Sequence, residues 1–298
     1  MNYIVIDFEW NGTFSRITRE YYNELIELGG VKLDDELNVV DSFRTLVKPY
    51  HHKKLTGRVK ELTNITNDDV RGGLPFKQAI SRFRKWVGED ENCFMSWGTG
   101  DILVLMEDLK FYDMLDELSM IKNYCDAQIL CQTALGIDMA KQPGLSLVAD
   151  MIGISCEDME MHRALDDSVV TAKCIKKLWN REIFDSVVKC ADKSFYDRLT
   201  FKQCIISDIR NPLLADVSYK VKCPECNRFM KRETKLKTKN RSICADYKCS
   251  RCGKEYAVKH RFKLKYEGLS HKVTFREKID EQPEEQQDQE NPQDSVQE

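Results

Sequence analysis

The sequence predicts an α/β fold, a mixed β-sheet flanked by helices, followed by a small β-rich module built around cysteines. Three observations carry this reading. Strand-like apolar runs at Asn2–Phe8, Glu24–Leu33 and Val39–Val47 are separated by loops and short polar turns, the pattern of an antiparallel meander. From Pro75 onward, apolar residues at helical spacing alternate with short strand-like runs. Two Cys-x-x-Cys pairs, Cys223/Cys226 and Cys249/Cys252, lie in a late, strongly basic segment.

The first strand carries Tyr3-Ile4-Val5-Ile6 and leads into a loop at Asn11–Arg19. The second contains Leu25, Ile26, Leu28, Val31 and Leu33, and Asp34-Asp35-Glu36 turns the chain into the third, which ends at Lys48-Pro49. Helix-start residues Thr56 and Thr66-Asn67-Asp68 punctuate Leu55–Arg71. In Pro75–Val87, Phe76, Ile80, Phe83 and Val87 recur every three or four residues, predicting an amphipathic helix that opens on proline. A short strand at Cys93–Trp97, a helix at Asp101–Tyr112 and a strand at Tyr124–Ala127 follow. Short helices are expected around Ile129–Leu135 and Leu145–Ile152, and Ala164–Lys177 reads as a late helix. Asn180–Asn211 is helical or a linker, and Pro212 marks a boundary. The expected layout is therefore 1–182 as the main domain, 183–217 as a helical extension or linker, 218–278 as the cysteine module and 279–298 as a disordered acidic tail.

The formal net charge of −3 conceals an asymmetry. Residues 220–278 hold 19 Lys/Arg against 6 Asp/Glu, a net of +13, whereas residues 279–298 hold 8 acidic and no basic residues. An acidic body with a basic appendage predicts a polyanion held by the appendage and metals held by acids elsewhere. Twelve cysteines without a signal-peptide pattern point to a reducing compartment, with cytoplasm as the expectation. No apolar run approaches the length needed to cross a bilayer, so no membrane partner is expected.

Asp7 and Glu9 close the first strand-like run. Strand side chains alternate faces, so residues two apart project together. Two like charges side by side repel and lose solvation; a hard divalent cation between them removes that penalty. Asp101 follows Ser96-Trp97-Gly98-Thr99-Gly100, whose glycines permit a tight strand-to-helix turn. His162 precedes the late helix and Asp167 falls in its first turns, where the helix dipole favours a carboxylate. Four carboxylates and one imidazole are the inventory for two metal ions, which in such hydrolyses sit roughly 3.5–4 Å apart, and for a general base that takes a proton from attacking water.

Asp7-Phe8-Glu9, the Asp101 segment and His162…Asp167 resemble, in order and spacing, the three motifs of the DEDDh (DnaQ-like) 3′→5′ exonucleases, over about residues 1–180. Glu24-Leu25-Ile26-Glu27-Leu28-Gly29, Leu62-Thr63-Asn64-Ile65-Thr66 and Ser96-Trp97-Gly98 are similar to the RNA-processing branch that contains histone-mRNA and small-RNA exonucleases. The resemblance implies a ribonuclease H-like fold, two Mg²⁺ or Mn²⁺ ions, and stepwise release of 5′-mononucleotides from single-stranded RNA or DNA, with RNA modestly favoured. It makes Asp7, Glu9, Asp101 and Asp167 metal ligands and His162 the base, with Asp166 either solvated or a neighbour supporting the ligands. Trp10 departs from the small hydroxyl residue that many relatives carry there. It is read either as a base-stacking residue or as an ordinary partly buried tryptophan.

Cys223, Cys226, Cys249 and Cys252 form two knuckles with 22 residues between them, the ligand set of one structural Zn²⁺ in a zinc ribbon. Cys244 is the spare, read as core. Between the knuckles, Lys235, Lys237, Lys239 and Arg241 are expected to follow phosphates, with Phe229 and Tyr247 available for stacking. The leading reading is a metal-dependent 3′→5′ exonuclease with a nucleic-acid-gripping zinc ribbon. The alternatives are a non-catalytic nucleic-acid-binding adaptor working through the ribbon, and a polymerase proofreading subunit.

Overall fold

The N-terminal meander is present and longer than its apolar runs. In the computed structural model, which describes residues 1–155 and 162–278, β1 (Asn2–Phe14) pairs antiparallel with β2 (Tyr21–Leu33), and β2 with β3 (Val39–Lys48). The loop expected over Asn11–Arg19 is half strand. A register shift between Glu9 and Trp10 lets Asn11–Phe14 continue opposite Glu24–Tyr21, and only 15–20 turn. The side chain of Ser15 closes that turn by accepting from the amides of Ile17 and Thr18.

Polar caps set the next elements. Thr56 caps α1 (Gly57–Thr63) by accepting from Val59 N–H, and Thr66 with Asp69 forms a capping box on α2 (Asn67–Gly72). After β4 (Leu74–Pro75), α3 (Phe76–Val87) opens on Pro75 and buries Phe76, Ala79, Ile80, Phe83 and Val87, the face its periodicity predicts. Then come β5 (Asn92–Ser96), α4 (Gly100–Phe111), β6 (Asn123–Asp126), α5 (Ala127–Ala134), α6 (Leu145–Met151), α7 (Ala164–Leu178), α8 (Arg181–Val187), β7 (Lys189–Cys190) and α9 (Lys193–Thr200).

The sheet order is β4-β3-β2-β1-β5-β6-β7, with β5 parallel to β1 and β6 parallel to β5. It is the mixed sheet flanked by helices that the sequence predicts. Period-two alternation assigns the two faces of β1. Ile4, Ile6 and Phe8 pack with α3 and α4, whereas Tyr3 and Val5 pack with α5, α7 and α8. Asp7 and Glu9 share the second parity, so both carboxylates leave the sheet on the side of α7.

Contacts divide the chain into Met1–Thr200 and Phe201–Glu298. Residues 183–217 are thus shared between the units. The helices α8 and α9 belong to the first, whereas β8 (Cys204–Ile206) pairs with a long strand, Glu255–Lys265, of the second sheet. That sheet also contains β9 (Lys231–Arg232), β10 (Lys237–Lys239), β11 (Ser242–Lys248), β12 (Glu255–Lys265) and β13 (Gly268–Glu277), in the path β10-β11-β12-β13 with β9 on β11. Its inner face buries Ile243, Tyr247, Tyr256, Val258 and Phe262. The acidic stretch 279–298, expected as a tail, lies outside the described residues. No helix among the described residues is long and apolar enough to cross a membrane.

Candidate active site and metal centre

A cleft of about 570 Å³ in the first unit is lined by Asp7, Glu9, Asp101, His162 and Asp167. One carboxylate oxygen each from Asp7, Glu9 and Asp167 lies within 4.8 Å of the other two. Asp101 borders the same cleft but stands outside this trio. It is buried in the first turn of α4, and its Oδ1 accepts the amide of Phe8 at 2.8 Å, which ties α4 to the strand between Asp7 and Glu9.

The electrostatics of the cluster are unfavourable without a counter-charge. Burial, then the charges of Asp101, Glu9 and Asp167, push the Asp7 carboxyl well above the ordinary range. Burial and the neighbouring Asp167, Glu27 and Asp101 raise Glu9 to about 8. Burial raises Asp101 to about 7 against the amides it accepts. Burial also raises Asp167, opposed by His162. Oδ2 of Asp167 accepts the His162 amide at 3.0 Å, while its Oδ1 is buried with no hydrogen-bond partner. A buried carboxylate with an orphaned oxygen, clustered with two further carboxylates, is the donor chemistry that a hard divalent cation satisfies, so the residues fit such an ion.

His162 is exposed at the cleft with φ +65°, a left-handed conformation that turns its amide back onto Asp167. Trp10 also lines the cleft, half-buried, and packs against the core shared by Ile4, Ile6 and Phe8. The helix α1 adds Thr56, Arg58 and Leu62 to the walls.

Two residues that position this site carried no assigned role in the sequence reading. Glu27, opposite Glu9 on β2, is fully buried. Its carboxylate pairs with Arg44 at 2.7 Å and Arg163 at 3.1 Å and accepts the Ala164 amide at 3.2 Å, capping α7, which has no side-chain cap of its own. Gly29, opposite Asp7, lies so close to α7 that a Cβ there would sit 2.3 Å from the Ala164 carbonyl carbon. A charged residue inside an apolar strand, followed two positions later by glycine, is the signal that marks both. Gly29→Ala should therefore push α7 off the sheet and destabilise the first unit by about 1–3 kcal/mol. Urea denaturation followed by far-UV circular dichroism measures this, and a midpoint equal to wild type would show that the helix yields without cost.

In the second unit the sulfurs of Cys223, Cys226, Cys249 and Cys252 all lie within 4.8 Å of one another, with Cys223–Cys252 at 3.6 Å and Cys226–Cys249 at 3.4 Å. Tetrahedral zinc with bonds near 2.3 Å implies sulfur separations of roughly 3.8 Å, so the set is compatible with that ion. The two knuckles share one backbone pattern. The fourth residue after the first cysteine, Asn227 or Gly253, has positive φ and donates back to the carbonyl of Cys223 or Cys249. The Cys249 thiol is pushed down to about 6, chiefly by the Cys252 amide at its sulfur, against burial and with help from Arg251 N–H. Cys244 stands outside the four, half-buried on β11.

Lys235, Lys237, Lys239 and Arg241 are exposed, as a phosphate-following role requires. Tyr247 is not available for stacking. It is 2% exposed, and its hydroxyl donates to the Tyr219 carbonyl at 2.8 Å because it sits on the inward parity of β11. Phe229 is exposed, with the Lys222 ammonium 5.5 Å from its ring centre.

Residues 4–175 match the family model RNase_T, described as exonuclease. The chain is 30% identical over 185 residues to the probable 3′-5′ exonuclease KapD of Bacillus subtilis, covering 58% of this chain and 82% of that one. It is 28% identical over 195 residues to human ERI1 exoribonuclease 2, covering 57% of this chain but only 27% of the human protein. A solved structure described as a full-length 3′-exonuclease shares the fold with a TM-score of 0.50 at 20% identity, over 61% of this chain and 62% of that one. The chain belongs to the RNase_T family of exonucleases, and its enzyme class is 3′→5′ exonuclease.

Proposed function

We propose that this chain removes nucleotides one at a time from the 3′ end of single-stranded nucleic acid, RNA in preference to DNA, releasing 5′-mononucleotides. One observation carries the reading: the carboxylates of Asp7, Glu9 and Asp167, the last with a buried, unpartnered Oδ1, converge in a cleft that also holds Asp101 and His162. Asp7, Glu9 and Asp167, with Asp101 beside them, would hold two Mg²⁺ or Mn²⁺ ions. When bound, such ions supply Lewis-acid activation of the phosphodiester and of water.

The chain's own groups do the rest. Exposed His162 takes the proton of the attacking water, and its backbone tie to Asp167 keeps the ring beside the acidic cluster. Asp101 braces the strand between Asp7 and Glu9 through the Phe8 amide. Exposed Arg58 meets a substrate phosphate, and Trp10 on the cleft wall stacks on the terminal nucleotide. In the second unit the four cysteines hold a structural Zn²⁺, and Lys235, Lys237, Lys239 and Arg241 contact the strand. The preference for RNA is supported by the similarity to a human exoribonuclease.

Digestion of matched 5′-labelled RNA and DNA oligonucleotides with Mg²⁺, Mn²⁺ or EDTA tests this. A metal-dependent ladder shortening from the 3′ end, faster on RNA, is expected; internal cuts or cleavage insensitive to EDTA would refute it.

The acid cluster also implies a pH dependence. With Glu9 at about 8 and Asp101 at about 7, these carboxyls hold protons near neutrality that a cation must displace. Apparent Mg²⁺ affinity should rise as pH increases from 6 to 8, up to about tenfold per unit for each proton displaced. Calorimetric titration at pH 6, 7 and 8 in buffers of different ionisation heat reads both affinity and proton release. The sign for stability is opposite. Folded-state pKa values raised above the unfolded ones give stability that is complete below the ordinary carboxylate range and lost as pH rises through 7 to 8. The metal-free protein is thus less stable at pH 9 than at pH 6.

A further inference from the structure

The six-stranded sheet of the second unit has two unlike faces. On β12, Tyr256, Val258, His260 and Phe262 point inward and are buried, while Lys259, Arg261 and Lys263 alternate outward. Residues directly opposite in an antiparallel pair share a face, so the register extends this outer row. Lys259 faces Cys244 on β11, and Cys244 faces Lys237 on β10. Lys239 lies two residues further on the same strand. On the other side of β12, Arg261 faces Lys272 of β13. Lys237, Lys239, Lys259, Arg261, Lys263 and Lys272 thus stand on one surface, and all are exposed. Two of the six precede the second knuckle and four follow it.

Among the described residues no carboxylate neutralises this row. At the knuckle end of the same sheet, cations have acidic partners: Lys231 with Glu233, Lys248 with Glu255 and Lys278 with Asp246. Among the described residues, none of the six outer cations lies in an ion pair with a carboxylate. Like charges directly opposite on an antiparallel pair destabilise it, and Arg261 against Lys272 is such a pair. The arrangement makes physical sense once a polyanion lies across it. The four strands β10 to β13 span roughly 14 Å at about 4.8 Å each, and alternate side chains along a strand repeat every ~6.8 Å. The residues directly opposite these cations on the outer face include Ser242, Cys244, Ser270, Thr274 and Ile205 of β8, with no aromatic ring among them.

We propose that this outer face is a second nucleic-acid-binding surface, which holds the phosphates of the substrate strand by charge and without reading bases. The inference rests on the exonuclease reading only for the identity of the polyanion. It adds Lys259, Arg261, Lys263 and Lys272 to the inter-knuckle lysines, and it makes binding strongly salt-dependent and indifferent to sequence.

The test is fluorescence anisotropy with a 5′-fluorescein 20-nucleotide oligo(U), titrated with the full chain carrying Asp7→Ala so that the probe is not consumed. Titrations run from 50 to 300 mM NaCl with equimolar zinc. Arg261→Gln/Lys272→Gln should weaken binding about tenfold at 50 mM NaCl. The slope of log K against log salt should fall by about 1.4, the loss of two single-strand phosphate contacts. The charge-keeping Arg261→Lys/Lys272→Arg should bind as the parent does, which separates charge from folding. Lys77→Gln/Lys85→Gln, removing two exposed cations of α3 in the first unit, should change affinity less than twofold. The proposal is overturned if the face variant keeps the parent's affinity and slope, or if the α3 variant loses as much. Failure of the exonuclease reading looks different: the chain with Asp7 intact would leave the oligonucleotide uncut while the face variants still lost binding.

Discussion

Asp7→Ala should reduce exonuclease turnover by about 10³-fold or more, equivalent to roughly 4 kcal/mol of lost transition-state stabilisation. It should do so without unfolding the protein. Burial and four carboxylate neighbours, Asp101, Glu9, Asp167 and Glu27, all disfavour the charge of Asp7. Removing it relieves the trio of Asp7, Glu9 and Asp167. The metal-free variant should therefore be more stable than wild type by about 1 kcal/mol, a rise of roughly 2–4 °C in melting temperature. Activity on labelled oligonucleotides and differential scanning calorimetry in EDTA measure the two effects together. A loss of activity accompanied by a lowered melting temperature would mean that Asp7 is structural, and the catalytic assignment would fail.

The second large effect concerns zinc. Cys249→Ser should abolish zinc binding and unfold the second unit while leaving the first folded. Two of the four cysteines, Cys223 and Cys249, are themselves members of the small core formed with Val221, Met230, Tyr247, Tyr256 and Val258. A separate cluster of Ile206, Leu214, Ile243 and Phe262 completes the core of this sheet, but both clusters are small, and structural zinc sites contribute about 10–16 kcal/mol of apparent binding energy at neutral pH. Hydrogen–deuterium exchange by mass spectrometry should show protection lost over β11, β12 and β13 and retained in β1, β2 and β5. Atomic emission should find one zinc per wild-type chain and none in the variant. Cys244→Ser is the control, since its sulfur lies outside the four, and its zinc content should equal wild type. Retention of both zinc and protection in Cys249→Ser would remove the ribbon from the account.

The legible parts of this protein were those written locally. The amphipathic spacing of Phe76, Ile80, Phe83 and Val87 and the capping threonines Thr56 and Thr66 are short-range patterns that each produced the element they predict, and the two Cys-x-x-Cys knuckles bring their four sulfurs together as an ion would require. Period-two alternation likewise placed Asp7 and Glu9 on one face of β1. The boundary at Pro212 was less legible. β8 joins the second sheet through hydrogen bonds to Phe262–Leu264, more than fifty residues away, and no local signal records that pairing.

By itself the sequence determined the chemistry available: four carboxylates and an imidazole in family order, four thiolates for one ion, and a basic C-terminal segment. Tertiary structure decided which of those groups meet. It brought Asp7, Glu9 and Asp167 into one cluster and set Asp101 beside it, engaged by the Phe8 amide. It recruited Glu27 and Gly29 to seat α7, buried Tyr247, and drew lysines from both sides of the second knuckle onto one face. The physical reason is common to all of these. Residue type and local period specify which way a side chain points relative to its own backbone, whereas strand register and helix docking specify what stands opposite it.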